Sequence, residues 1–108
     1  MKKFDINYVL LEDMVHDDYY PPFLVEKIKE RIVSIISLLE QGETDRDIIQ
    51  SKLDEMTLAI NDLQEEFDEN DSEIETVARE SIAATIEYIL EWFHIDIDTE
   101  TAIRERDW

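Results

Sequence analysis

The sequence predicts an all-α protein, a compact four- to five-helix bundle forming a single acidic helical domain over residues 1–108. Apolar residues recur at helical spacing along most of the chain, which is the primary signal of amphipathic helices. Breaks in that pattern fall at a double proline and at the one glycine, where helices start and stop. Net charge is −19 and 36% of residues are charged, a balance that alone would suit disorder, but 44% are apolar. With the apolar residues arranged on helical faces, a folded core is the expectation.

Residues 1–20 admit two readings. Phe4, Ile6, Tyr8 and Leu10 alternate as in a strand, whereas Tyr8, Leu11, Met14 and Val15 suit a helix over residues 6–16. The helix is the expected form, because a strand needs a partner. The other alternating piece is His94-Ile95-Asp96-Ile97, so the alternative is a minor two-stranded pairing of residues 4–10 with 94–97.

Pro21 and Pro22 end the first element and open the second, since a residue before proline leaves helical dihedrals and proline tolerates a first turn. The second helix is expected over residues 22–41, stopped by Gly42. Leu24, Ile28, Ile32, Ile35 and Leu39 form its stripe, widened by Val25, Ile36 and Leu38, which makes it the central helix. Thr44 with Asp47 resembles a cap for a third helix. There Ile49, Leu53, Met56, Ile60, Leu63 and Phe67 form a narrow seam flanked by acids, placing the helix on the outside.

Residues 68–72 form a polar turn, and Ser72 with Glu75 spells a capping box for the fourth helix. Ile74, Ala78, Ile82, Ile86, Ile89 and Phe93 give that helix its buried face, and it should end near Phe93 or His94. Asp98 or Thr99 can cap a last short helix over residues 100–106, with Arg104, Arg106 and Trp108 latching it onto an acidic face. Asn61 is a polar candidate for fixing the register of the third helix.

Charge then narrows the function. A chain of pI near 4.1 repels phosphate backbones and anionic membranes, so neither nucleic acid nor a membrane is an expected partner. Cations and basic protein surfaces are. The absence of cysteine excludes disulfides and thiolate metal sites, and no apolar run has signal-peptide or membrane-spanning length, which suggests the cytoplasm. The negative charge concentrates between Lys52 and Arg79, a span without Lys or Arg.

Chemistry is sparse. There is no glycine-rich phosphate loop and no serine in a nucleophile motif, so no catalytic residues and no cofactor are expected. The enzymatic alternative is a di-iron-like metal site. Glu91 and His94 form Glu-x-x-His, with Glu87 one turn earlier, and Asp13 with His16 supplies a second acid-x-x-His pair. Residues 68–73 are oxygen-rich but lack the glycine and spacing of a calcium loop. Tyr19, Tyr20 and Phe23 flank the double proline beside Asp17 and Asp18, and large rings on a stiff loop suit an interface.

At DDYYPPFLVEKIK (residues 17–29), NDLQEEFDENDSEIETVARE (61–80) and AIRERDW (102–108), the chain resembles a family of small acidic bacterial proteins catalogued as a domain of unknown function. That resemblance covers nearly the whole chain and implies a bacterial cytoplasmic protein. A looser similarity is to immunity proteins of nuclease bacteriocins and contact-dependent toxins, of which the bacteriocin group uses an Asp-x-x-Tyr-Tyr-Pro word at its toxin-binding face. Here Asp17-Asp18-Tyr19-Tyr20-Pro21 keeps Tyr-Tyr-Pro with the Asp spacing one residue short. The expected function is therefore binding and neutralising or regulating a basic protein partner, plausibly a toxin domain. The expected surfaces are the loop acids and rings Asp17, Asp18, Tyr19 and Tyr20, or the hairpin acids Glu65, Glu66, Asp68, Glu69, Asp71 and Glu73.

Overall fold

The computed structural model describes residues 2–108, and the regular structure among them is all helical, with no strand. The elements are α1 (Glu12–Val15), α2 (Pro22–Glu40), α3 (Arg46–Glu69), α4 (Thr76–Trp92) and α5 (Thr99–Ala102). Among these residues no helix is long and apolar enough to cross a membrane.

The three long helices run up, down and up. α2 and α3 pack directly as an antiparallel pair, while α1 lies against α2 and α4 and α5 against α3 and α4. The short helices thus act as wedges that bring α4 onto the α2–α3 pair. Ile28, Ile32 and Ile35 of α2, Ile49, Leu53 and Ile60 of α3, and Ile82 and Ile86 of α4 are almost fully withdrawn from solvent. Each such side chain contributes roughly 1.5–3 kcal/mol by leaving water. α2 buries a broad stripe, as its sequence implies, matched by that of α4, and the seam of α3 is buried except for a half-exposed Leu63.

Helix ends follow backbone chemistry. Gly42 has φ 93, its N–H donates to Leu39 O at 3.0 Å, and the Glu43 N–H reaches Leu38 O, a Schellman closure of α2. Asp71 and His94 repeat that closure after α3 and α4, with φ 57 at each. Asp45, not Thr44, caps α3, its carboxylate accepting from the N–H groups of Asp47 and Ile48. The expected Ser72 capping box does not form. Ser72 is buried with its hydroxyl unpartnered, and Glu75 caps α4 by accepting from the Val77 N–H.

The N-terminal expectation is corrected most. Neither a helix over 6–16 nor a strand pairing of 4–10 with 94–97 forms; only Glu12–Val15 is helical. Leu11 sits at φ 54 and interrupts any longer helix. A left-handed leucine costs about 1–2 kcal/mol. Burying Leu11 and Met14 outweighs that cost, and the Leu11 N–H still finds Thr85 Oγ1 at 3.3 Å. Ahead of it the chain lies as an arm on α4. The Tyr8 and Tyr88 rings stack at 4.0 Å, Phe4 meets Tyr88 and Trp92 edge-on, and the Trp92 indole donates to Lys3 O at 2.9 Å. Tertiary stacking, rather than local periodicity, sets this segment.

The last helix is also shorter than expected, Thr99–Ala102, with Asp98 as its cap through Thr101. Beyond it the tail runs along α3.

Candidate functional site

Two contacts gather the acids at one end of the bundle. Lys27 near the start of α2 meets Glu66 in the last turns of α3, Nζ to Oε1 at 2.7 Å. The Tyr20 hydroxyl donates to the Glu75 carboxylate, joining the loop before α2 to the start of α4. The loop around Asp18 and the turn between α3 and α4, two separate stretches in the sequence, therefore share one end of the molecule.

On that end Glu65, Asp68, Glu69, Asp71 and Glu73 are exposed, and Glu66 is half-buried in its pair with Lys27. The last turn of α3 carries no basic residue. Carboxylates there oppose the negative end of the helix dipole, an arrangement that costs a few tenths of a kcal/mol per charge. Asn70 partly compensates, its side-chain amide donating to Glu66 O at 2.8 Å.

Members of the loop have divided roles. Asp18 is exposed and Tyr19 half-exposed. Asp17 is a turn former, its carboxylate accepting from the Tyr19 N–H at 2.9 Å. Tyr20 is withdrawn from the expected binding surface, being 2% exposed with its hydroxyl committed to Glu75. The ring faces the core because α1 and α2 close over it, something its two neighbours in sequence do not announce.

The metal alternative is not assembled. Glu87 and Glu91 are exposed on α4, and His94 is exposed at the left-handed position that ends that helix. Asp13 and His16 are exposed at α1. The interior where inward carboxylates would meet is filled by isoleucines, and no group of three or more His, Asp or Glu among the described residues could hold a metal ion. The oxygen-rich turn at 68–73 holds no such group either.

A second polar system was hidden beside the apolar seam. Gln50, Asp54, Asn61 and Gln64 each lie one position after a seam residue and form a stripe on α3 facing the tail. Arg104 grips Asp54 with two nitrogens, at 3.2 and 2.8 Å, so the expected latch forms through Arg104, whereas Arg106 pairs with Glu100 of the last helix itself. Burial pushes the Asp54 carboxyl up, but the hydrogen bonds from Arg104 and Gln50 outweigh it and hold it below the usual carboxylate range. Asn61 donates to Glu105 O at 2.8 Å and accepts from the Asp107 N–H at 3.2 Å. Asn61 thus fixes the tail rather than helix register. Its signal was a polar periodicity of four and three, visible in the sequence once the seam is drawn.

A cleft of about 340 Å³ lies at the opposite end, lined by Arg46, Asp47, Gln50, Asp96, Asp98 and Arg104 among others. Its charges are mixed, and Arg104 is already spent on Asp54, so it offers no coherent binding chemistry. At the acidic end, by contrast, the exposed charges are mostly carboxylates, and Lys27 is paired with Glu66. No curated protein matches the chain, and no solved structure does either. A family model described as a family of unknown function (DUF5713) matches residues 4–108, and the chain belongs to that family.

Proposed function

We propose that this chain is an interaction protein whose acidic end binds and neutralises or regulates a basic protein partner in a bacterial cytoplasm, as an immunity protein does a toxin. The observation that supports this most is the convergence of Asp18 and Tyr19 with Glu65, Asp68, Glu69, Asp71 and Glu73 on one end, where Lys27 is paired with Glu66. Asp68 and Glu69, set against the negative pole of α3, lower stability, so their placement is better explained by a partner than by the fold. A surface of one sign steers an oppositely charged protein and raises its rate of encounter by about 10–10³-fold. The exposed tyrosine supplies a rigid contact once the two meet. The partner's cationic cleft would be covered sterically and electrostatically, with no chemical step.

The test is affinity capture from the source cells using the chain and a double charge reversal, Asp68→Lys with Glu69→Lys, at low and high salt. A basic protein held at about 50 mM salt, released by about 0.5 M and lost by the reversed chain supports the reading. A partner retained equally by both chains and at both salts overturns it.

A further inference from the structure

Beside the acids the same end carries an apolar notch of about 60 Å³, lined by Met14, Val15, Tyr20, Pro22, Val25 and Glu26. Its floor is rigid core: Met14, Tyr20 and Val25 are each at most 3% exposed. Its lip is open to solvent, since Val15 is 44% exposed and Pro22 and Glu26 are exposed. Tyr20, which lines the notch, donates its hydroxyl to Glu75, and this ties the notch to the turn between α3 and α4 that carries the hairpin acids. An apolar centre with a charged rim is the anatomy of a protein-binding hot spot.

We propose that this notch is the anchor pocket of the acidic end and takes one valine- or isoleucine-sized side chain from a Lys/Arg-flanked segment of the partner. The proposal rests on the reading of the acidic end as a partner-binding surface. Size selects the side chain, because the notch has room for a small aliphatic group and not for an aromatic ring. Charge selects its neighbours. Glu26 stands on the lip with only an exposed pairing to Lys29 at 3.3 Å, and the carboxylates of Asp13 and Asp18 are exposed on the flanking α1 and loop. A second copy of this chain is disfavoured as occupant, since each copy carries −19. Apolar burial at the centre slows dissociation, whereas the surrounding acids speed association.

The experiment titrates the isotopically labelled full chain with two synthetic peptides, KRIKR and KRSKR, following methyl and amide resonances at low salt. The expected result is that KRIKR shifts the methyls of Met14, Val15 and Val25 and binds about three- to tenfold tighter than KRSKR, with the same salt dependence. Val15→Lys, at an exposed position that leaves the fold in place, should erase that preference while both peptides still shift the Asp68 and Glu69 amides. If the two peptides bind equally and only the hairpin amides move, the notch is not an anchor and the acidic-end reading stands. If neither peptide perturbs this end, both fall.

Discussion

The Tyr20 hydroxyl donates to the carboxylate of Glu75, 55 positions away, and so ties the loop before α2 to the first turn of α4. Glu75 uses its other oxygen to cap the Val77 N–H, so one carboxylate closes the loop and starts a helix. Tyr20→Phe keeps the buried ring and removes the donor. It should lower stability by about 1–2 kcal/mol, since the bond ends on a charged acceptor that is only part-buried. The urea midpoint measures this. Faster amide exchange at residues 17–20, with α3 unchanged, would locate the effect in the loop, and an unchanged midpoint would show that the bond contributes nothing.

The tail depends on Asn61 through both ends of its side-chain amide, at Glu105 O and the Asp107 N–H. Asn61→Ala should cost about 1 kcal/mol and free the last residues, read as raised exchange at the Asp107 amide. Arg104→Ala removes an ion pair that is half-exposed on the arginine side, so screening limits its cost to under about 1 kcal/mol. The ranking, Asn61 before Arg104, is the checkable outcome.

Asp71 occupies a left-handed position at φ 57 that glycine adopts freely. Asp71→Gly relieves that geometry and takes a carboxylate from the negative pole of α3, so it should stabilise the chain by about 1 kcal/mol. Gly42→Ala, at φ 93, should destabilise by a similar amount. Thermal melts of the two variants should move in opposite directions. If the acidic end is the binding surface, Asp71→Gly should also weaken partner binding while it strengthens the fold, separating the two roles.

Asp5 anchors the N-terminal arm. The hydrogen bond from Tyr88, at 2.6 Å, and then the Asn7 N–H hold its carboxyl below the ordinary value of 3.8, and the same contact raises the Tyr88 phenol. The folded chain therefore binds this proton less readily than the unfolded chain. Its contribution is fully present above about pH 4 to 5 and is lost as pH falls through the lowered folded value. Tyr88→Phe should return the Asp5 carboxyl toward 3.8 in an NMR titration and flatten the acid limb of the stability profile. An Asp5 titration unmoved by that substitution would sink the assignment.

The three long helices were legible in the residues because each buries a stripe, and the period of a stripe is local information. Leu24 to Leu39, Ile49 to Phe67 and Ala78 to Leu90 declare their faces without reference to one another, and Pro22 and Gly42 mark the ends of α2 through backbone dihedrals alone. The Arg104 latch was legible too, since Arg104 and Arg106 put cations at the end of an acidic chain.

What a stripe does not encode is its partner. Tyr19 and Tyr20 are the same residue in the same loop, yet one is half-exposed and the other buried, because only Tyr20 meets the core and Glu75. Tyr8 follows the stacking face of Tyr88 instead of its own helical periodicity, and Leu11 accepts a strained backbone because the core it fills outweighs the strain. The joining of the Asp18 loop to the acidic hairpin belongs to the same class. Contacts between positions tens of residues apart are decided by packing, and packing exists only once the helices have met.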